Sequence, residues 1–263
     1  MRRWVQLQQT IKEHLELETP ETSELFMYYA MDMYPEALTA FDFAVISDDS
    51  FIGAYFEKGK VLEKLGRYNE AIENYESTIS IEDPTSYAFL RLGKCHEKLG
   101  NFDLAKYYYY HTVHEDPLLD KGWLAITDFH FGQKNYEKAL YYINKAINID
   151  GENPLYWKKA AKIYFALDNL DEADFAYKQA VDLGNYELET WKNWSEVLKR
   201  IGDFDSSIQV LLQGLEFYPD SAVLTYKLAG IHLKNNDIAE AKKALSDAME
   251  MDMDKLQLFD EEF

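Results

Sequence analysis

The sequence predicts an all-α fold built from about seven consecutive helix pairs. Three observations carry this. A column of small residues recurs every 34 positions, at Ala37, Ala71, Ala105, Ala139, Ala173, Ser207 and Ala241. Around it, further columns fall at offsets of −3, +4 and +7, which together describe one face of an α-helix. Turn-forming residues then split each unit into two helical stretches. With only 6 proline and 12 glycine residues in 263, a loop-rich β architecture is disfavoured.

The elements follow in order. Residues 1–17 place Trp4, Leu7, Ile11 and Leu15 at helical spacing. This predicts an amphipathic helix, either a cap or the second helix of a truncated repeat. The repeat array is assigned to residues 18–255 as one cooperative body, because each unit buries its apolar face only against its neighbours. Its first unit is the least regular, with Glu21 at the aromatic anchor and Leu25 at a small position. From the second unit on, the first helix carries an anchor at Tyr55, Phe89, Trp123, Trp157 and Trp191, with Thr225–Tyr226 in the last. Four residues later stands a small column of Gly59, Gly93, Thr127, Ala161, Ser195 and Ala229.

Gly66, Gly100, Asp168–Asn169, Gly202 and Asn235–Asn236 separate the two helices of a unit. The second helix opens with Tyr34, Tyr68, Phe102, Tyr136, Leu170, Phe204 and Ile238. Its large column reads Phe41, Tyr75, Tyr109, Ile143, Tyr177, Leu211 and Leu245. A second small column follows at Ala44, Thr78, Thr112, Ala146, Ala180, Gly214 and Ala248, so a neighbouring helix can approach closely. Pro84, Pro117, Pro154 and Pro219 stop or open helices near unit ends. Residues 256–263, with Leu258, Phe259 and Phe263 among acids, are the expected closing segment. Trp157 and Trp191 are the leading core candidates.

This pattern resembles the tetratricopeptide repeat family, whose units run aromatic, Leu-Gly, Tyr, turn, Ala, Tyr or Phe, Ala and Pro. The nearest units are Tyr55 to Pro84 and Phe89 to Pro117, which contain Leu92–Gly93, Leu65–Gly66 and Leu99–Gly100. The resemblance implies a right-handed superhelical α-solenoid whose first helices line an inner, concave groove. It also implies a non-enzymatic protein-interaction role.

Composition narrows the function classes. The formal net charge is −20, from 47 acidic and 27 basic residues, so nucleic acid is not an expected partner. No apolar run is long enough to span a membrane, and no secretory leader is recognised. The lone cysteine, Cys95, excludes an internal disulfide framework and fits a reducing, cytoplasmic setting. No catalytic residues, metal ligands or cofactors are expected. His96, His130 and His232 share one repeat column, which reads as packing. His111 and His114 read as a solvated helix end, and Cys95 as a buried structural thiol.

The charge distribution is the informative signal. In units two to seven the first-helix stretches hold fifteen basic and seven acidic residues, a net of +8 that leaves −28 for the rest. Including the first unit lowers +8 to +5. A Lys-rich, aromatic-lined groove for an acidic or amphipathic peptide is therefore expected. Lys60, Lys94, Lys158, Lys162, Lys192 and Lys199 are assigned to steering, and Phe131, Phe165 and Tyr226 to apolar contact. Phe56, Tyr87, Leu90 and Leu124 fall in similar columns. One sub-family clamps a peptide's terminal carboxylate; Lys158 and Asn193 match its pattern, whereas Lys162, Val223 and Lys227 depart from it. The competing reading is a passive spacer or assembly module. Tyr107, Tyr108, Tyr141 and Tyr142 form a second aromatic cluster, read either as inter-repeat packing or as another interface.

Overall fold

The structure, a computed structural model, describes residues 33–81 and 85–251. The predicted N-terminal helix, the first helix of the first unit, Pro84 and the closing segment lie outside those residues. The described chain is helical, with no strand: α1 (Tyr34–Ser47), α2 (Ile52–Lys64), α3 (Tyr68–Ile81), α4 (Ser86–Lys98), α5 (Phe102–Glu115), α6 (Asp120–Gly132), α7 (Tyr136–Ile149), α8 (Pro154–Ala166), α9 (Leu170–Asp182), α10 (Leu188–Ile201), α11 (Phe204–Phe217), α12 (Ala222–Lys234) and α13 (Ile238–Met251). Contacts divide the chain into two compact units, Met1–Ile126 and Thr127–Phe263, with the division passing through α6.

Local chemistry explains the helix ends. Thr85, Asn135, Asp203 and Ser221 each accept a hydrogen bond from the backbone N–H three residues on, satisfying a donor the first turn leaves orphaned. Asn153 caps α8, which opens on Pro154, where a missing N–H costs nothing. Six turns within the helix pairs share one closure. Gly66, Gly100, Lys134, Asp168, Gly202 and Asn236 all have positive φ, at a spacing of 34. The residue after each donates its N–H five positions back, as from Arg67 to Leu62 and from Asn135 to His130.

In the first unit, helices α1 to α4 each pack on the next, as does α4 on α5. The small columns set the helix separation. A Cβ added at Gly59 would sit 2.6 Å from the Tyr75 ring, and one at Gly93 would sit 2.5 Å from Tyr109. Leu62, Ala71, Tyr75, Phe89, Leu92 and Cys95 form one buried cluster; Ala37, Phe41, Ala54 and Val61 form another.

In the second unit the same stacking runs from α7 to α13. Here the first helices of successive pairs, α8, α10 and α12, also touch one another. No pair of second helices does so to that degree among the described residues. Closer spacing of the first helices puts them on the tighter side of this stack. The buried interior includes Ile143, Tyr156, Ile163, Tyr177, Trp191 and Leu211.

One core expectation needs correction. Trp191 is 1% exposed, but Trp157 is only half-buried. The Trp157 indole must place its N–H on an acceptor and finds the Gly151 carbonyl of the entering loop at 2.8 Å. Trp123 does the same with Pro117 at 2.8 Å. The Trp157 ring therefore seals the loop edge-on against Phe175, and its neighbour Tyr156, 2% exposed, fills the interior.

Candidate functional site

The first-helix face of the second unit concentrates positive charge. Helices α8, α10 and α12 hold eight basic and two acidic residues, whereas α7, α9, α11 and α13 hold five basic and ten acidic ones. Most of this positive charge is already engaged. Lys158 donates to Glu187 Oε2 at 2.8 Å, and Lys192 to Glu189 Oε1 at 2.5 Å. Lys199 and Lys227 share Glu196 Oε2, at 3.1 and 3.4 Å. Lys159 reaches Asp128 at 2.6 Å, and Arg200 reaches Asp168 at 2.6 Å. Several of these pairs tie one helix pair to the next, so they act as struts of the stack as well as surface charge.

Lys162 differs from its neighbours. It is half-buried on α8 and, among the described residues, has no carboxylate within ion-pair distance. Burial pushes its ammonium below the ordinary lysine range, and the adjacent charges of Lys158 and Lys159 push the same way. Glu189 and Glu187 act against this from nearby. Both carboxylates are held below their usual range, Glu187 chiefly by the Lys158 hydrogen bond and Glu189 chiefly by that of Lys192.

Asn193 stands one turn beyond Glu189 and donates to its Oε2 at 3.4 Å. It also bonds the buried phenol of Tyr177. The expected apolar contacts are partly covered: the Lys159 ammonium sits 5.6 Å from the Phe131 ring, and the Arg200 guanidinium 4.9 Å from Phe165. Tyr226 is 6% exposed and Leu90 3%, so both belong to the interior and not to an open groove. Where Thr225 replaces the large anchor, the Tyr226 ring buries in its stead. In the first unit, Lys60 donates to both oxygens of Glu57 at 2.8 and 2.7 Å, and Lys94 is exposed on α4. Tyr87 is exposed there, while Phe56 packs at 5.5 Å from Tyr75.

The histidine column has one recurring partner. His96 stacks on Tyr108 with ring centroids 5.4 Å apart, and His130 stacks on Tyr142 at 5.4 Å. That contact divides the tyrosine cluster: Tyr108 and Tyr142 face histidines, while Tyr107 and Tyr141 remain 54% and 57% exposed. Burial lowers His96, favouring the neutral ring that stacks. Cys95 is 1% exposed and pushed up to about 12, which makes it a poor nucleophile. Among the described residues, no three potential ligands gather to hold a metal. No described helix is long and apolar enough to cross a membrane.

Two family models described as Tetratricopeptide repeat match residues 52–83 and 87–117. A third, described as Suppressor of forked protein, matches residues 132–262. Among solved structures, the chain is similar to the C-terminal part of a TPR repeat-containing protein from Cytophaga hutchinsonii, at 18% identity and a TM-score of 0.72 over 90% of this chain and 97% of that one. It is also similar to the APC/C hetero-tetramer Cut9–Hcn1, at 17% identity and a TM-score of 0.65 over 92% of this chain and 45% of that one. Pseudomonas aeruginosa pilF is similar at 15% identity, with a TM-score of 0.66 over 78% and 93% of the two chains. No curated protein matches the sequence.

Proposed function

Because this chain belongs to the tetratricopeptide repeat family, we propose that it is a non-enzymatic interaction scaffold whose α8–α10–α12 face binds an acidic or amphipathic segment of another protein. The fold supports a protein-interaction or scaffold role; the choice of ligand rests on the charge of that face. Its eight cations against two acids, beside second helices of opposite balance, carry the reading. Opposite potentials steer a partner toward the face and fix its register more than they set affinity. Lys158, Lys162, Lys192 and Lys199 supply the field, Asn193 a fixed amide, and Phe131 with Phe165 the apolar edges. Taken by itself, the first unit also carries lysines on its first helices, at Lys60 and Lys94.

Affinity capture at low and high salt tests this, with wild type set against a Lys158→Glu, Lys162→Glu, Lys192→Glu triple variant. Salt-sensitive partners that disappear in the variant support the reading. An unchanged partner list overturns it. A spacer role draws on one observation: the Lys158–Glu187, Lys199–Glu196 and Lys227–Glu196 pairs already satisfy much of the charge from within. A spacer gives the unchanged list.

A further inference from the structure

We propose that an aromatic recess on the exposed face of α5 receives an arginine side chain from a basic segment of another protein, its guanidinium stacked on Tyr107 and paired with Asp103. The recess uses different helices from the reading above, and chemistry of the opposite charge. It is an open cavity of about 700 Å³ lined by Asp103, Tyr107, Tyr110, His111 and His114, together with Lys106 and Val113. Spacings of three and four residues keep Asp103, Tyr107, Tyr110, His111 and His114 on neighbouring turns of one helical face.

Tyr107 is 54% exposed, yet its ring is held in place. Tyr108 meets it edge-on with centroids 5.2 Å apart, and the His111 ring lies at 4.3 Å. His111 in turn packs 5.4 Å from Phe89, and Tyr108 stacks 5.4 Å from His96, both buried residues of α4. A ring fixed in this way loses little rotamer freedom when a ligand covers it.

The next repeat supplies the ligand chemistry. Tyr141 and Tyr142 form the same edge-on pair at 5.1 Å, and there the Lys145 ammonium sits 5.3 Å from the Tyr141 ring. The residue equivalent to Lys145 in α5 is His111. Among the described residues, Tyr107 therefore presents the same ring in the same setting with no internal cation over it.

The local field also favours a cation. In this unit the second helices α1, α3 and α5 carry seven acidic residues and one basic, Lys106. Asp103, one turn before Tyr107, and Glu76 on α3 are exposed and enter no ion pair among the described residues. The Glu76 charge reaches both Tyr108 and His96. A guanidinium suits such a site better than an ammonium, because it is planar, stacks on a phenol ring and offers paired donors to a carboxylate.

The probe is a fluorescein-labelled peptide of three Arg-Ser-Leu repeats, compared by fluorescence anisotropy with its Lys-Ser-Leu counterpart at roughly 0.15 M salt. Tyr107→Leu keeps apolar bulk but removes the π face; it is expected to weaken binding of the arginine peptide about fivefold, and Asp103→Asn about threefold. Glu115→Gln removes the same charge from the same helix and is expected to weaken binding by less than about 1.5-fold. All three positions are exposed, so the variants are expected to keep the wild-type thermal midpoint. Weaker binding of the lysine peptide supports the guanidinium assignment. Equal affinity for the two peptides overturns the proposal, as does binding indifferent to Tyr107→Leu. Equal losses from Asp103→Asn and Glu115→Gln overturn it as well, since they mark a diffuse acidic surface. No binding of the arginine peptide to wild type up to about 1 mM also overturns it, and leaves the α8–α10–α12 reading untouched.

Discussion

Tyr75, fully buried on α3, donates its phenolic hydroxyl to Glu63 Oε1 on α2 at 2.5 Å, and one repeat later Tyr109 does the same to Glu97 Oε2 at 2.6 Å. The second oxygen of Glu63 accepts from Arg91 on α4 at 3.3 Å, so one carboxylate joins three helices. Burial foremost, and then the neighbouring Glu63 charge, keep the phenol protonated. Where the large column holds Ile143, the position equivalent to Glu63 is Phe131, an apolar pair in place of a polar one.

Tyr75→Phe therefore removes a hydrogen bond to a charged acceptor while leaving the ring packing intact. A loss of about 1.5 kcal/mol is expected, since Glu63 keeps Arg91 and some water. Urea unfolding of the Tyr75→Phe, Glu63→Gln cycle measures the coupling. Additive effects of the two changes would show that the bond contributes nothing beyond its separate partners.

Lys134 adopts φ 57°, a left-handed conformation that costs a side-chain-bearing residue but not glycine. It is exposed and, among the described residues, has no ion pair, so Lys134→Gly is expected to stabilise by about 1 kcal/mol. Asp168→Gly relieves the same strain but breaks the 2.6 Å contact with Arg200, and it should gain less. Thermal melts of the two variants decide; no rise for Lys134→Gly refutes the strain argument.

Among the tryptophans, Trp191→Ala is expected to cost about 3–5 kcal/mol, because it empties a fully enclosed site. Trp157→Ala opens onto solvent at the loop and should cost distinctly less. Chemical denaturation of both variants ranks them, and equal losses would count against the edge-on placement of Trp157.

Acidification should weaken the molecule in two separate windows. Burial lowers His96 from its ordinary 6.5, so the unfolded chain binds the proton more readily and stability falls as pH drops below 6.5. Glu187 lies below its ordinary 4.5 through Lys158; its contribution is present above 4.5 and is lost as pH falls further. Melts across roughly pH 3–8 should lose the upper limb in His96→Phe and shrink the lower one in Glu187→Gln. The Glu187 effect is small, because its carboxylate is exposed and screened by solvent.

Much of the fold was legible because residue size repeats in register: every small position of the first helices, from Gly59 to Ala229, is buried. Gly66, Gly100, Gly202, Asp168 and Asn236 announce their turns through chemistry, whereas lysine carries no turn signal and only the period of 34 points to Lys134. Size alone also misled at Trp157, since it does not say where an indole N–H finds its acceptor. The cationic face could be counted from the sequence, but not which cations were engaged. Their partners stand close to one repeat away, as for Lys158 with Glu187, Lys227 with Glu196 and Lys159 with Asp128. Reading acids against bases at that offset is the signal that would have isolated Lys162.

Enclosure of the single thiol gives the chain its own opening gauge. Cys95 sits in the cluster with Leu62, Tyr75 and Leu92, protonated and shielded, so alkylating reagents must wait for α4 to part from its neighbours. With one cysteine in the whole sequence, the labelling rate reports excursions of that one region without any engineered tag.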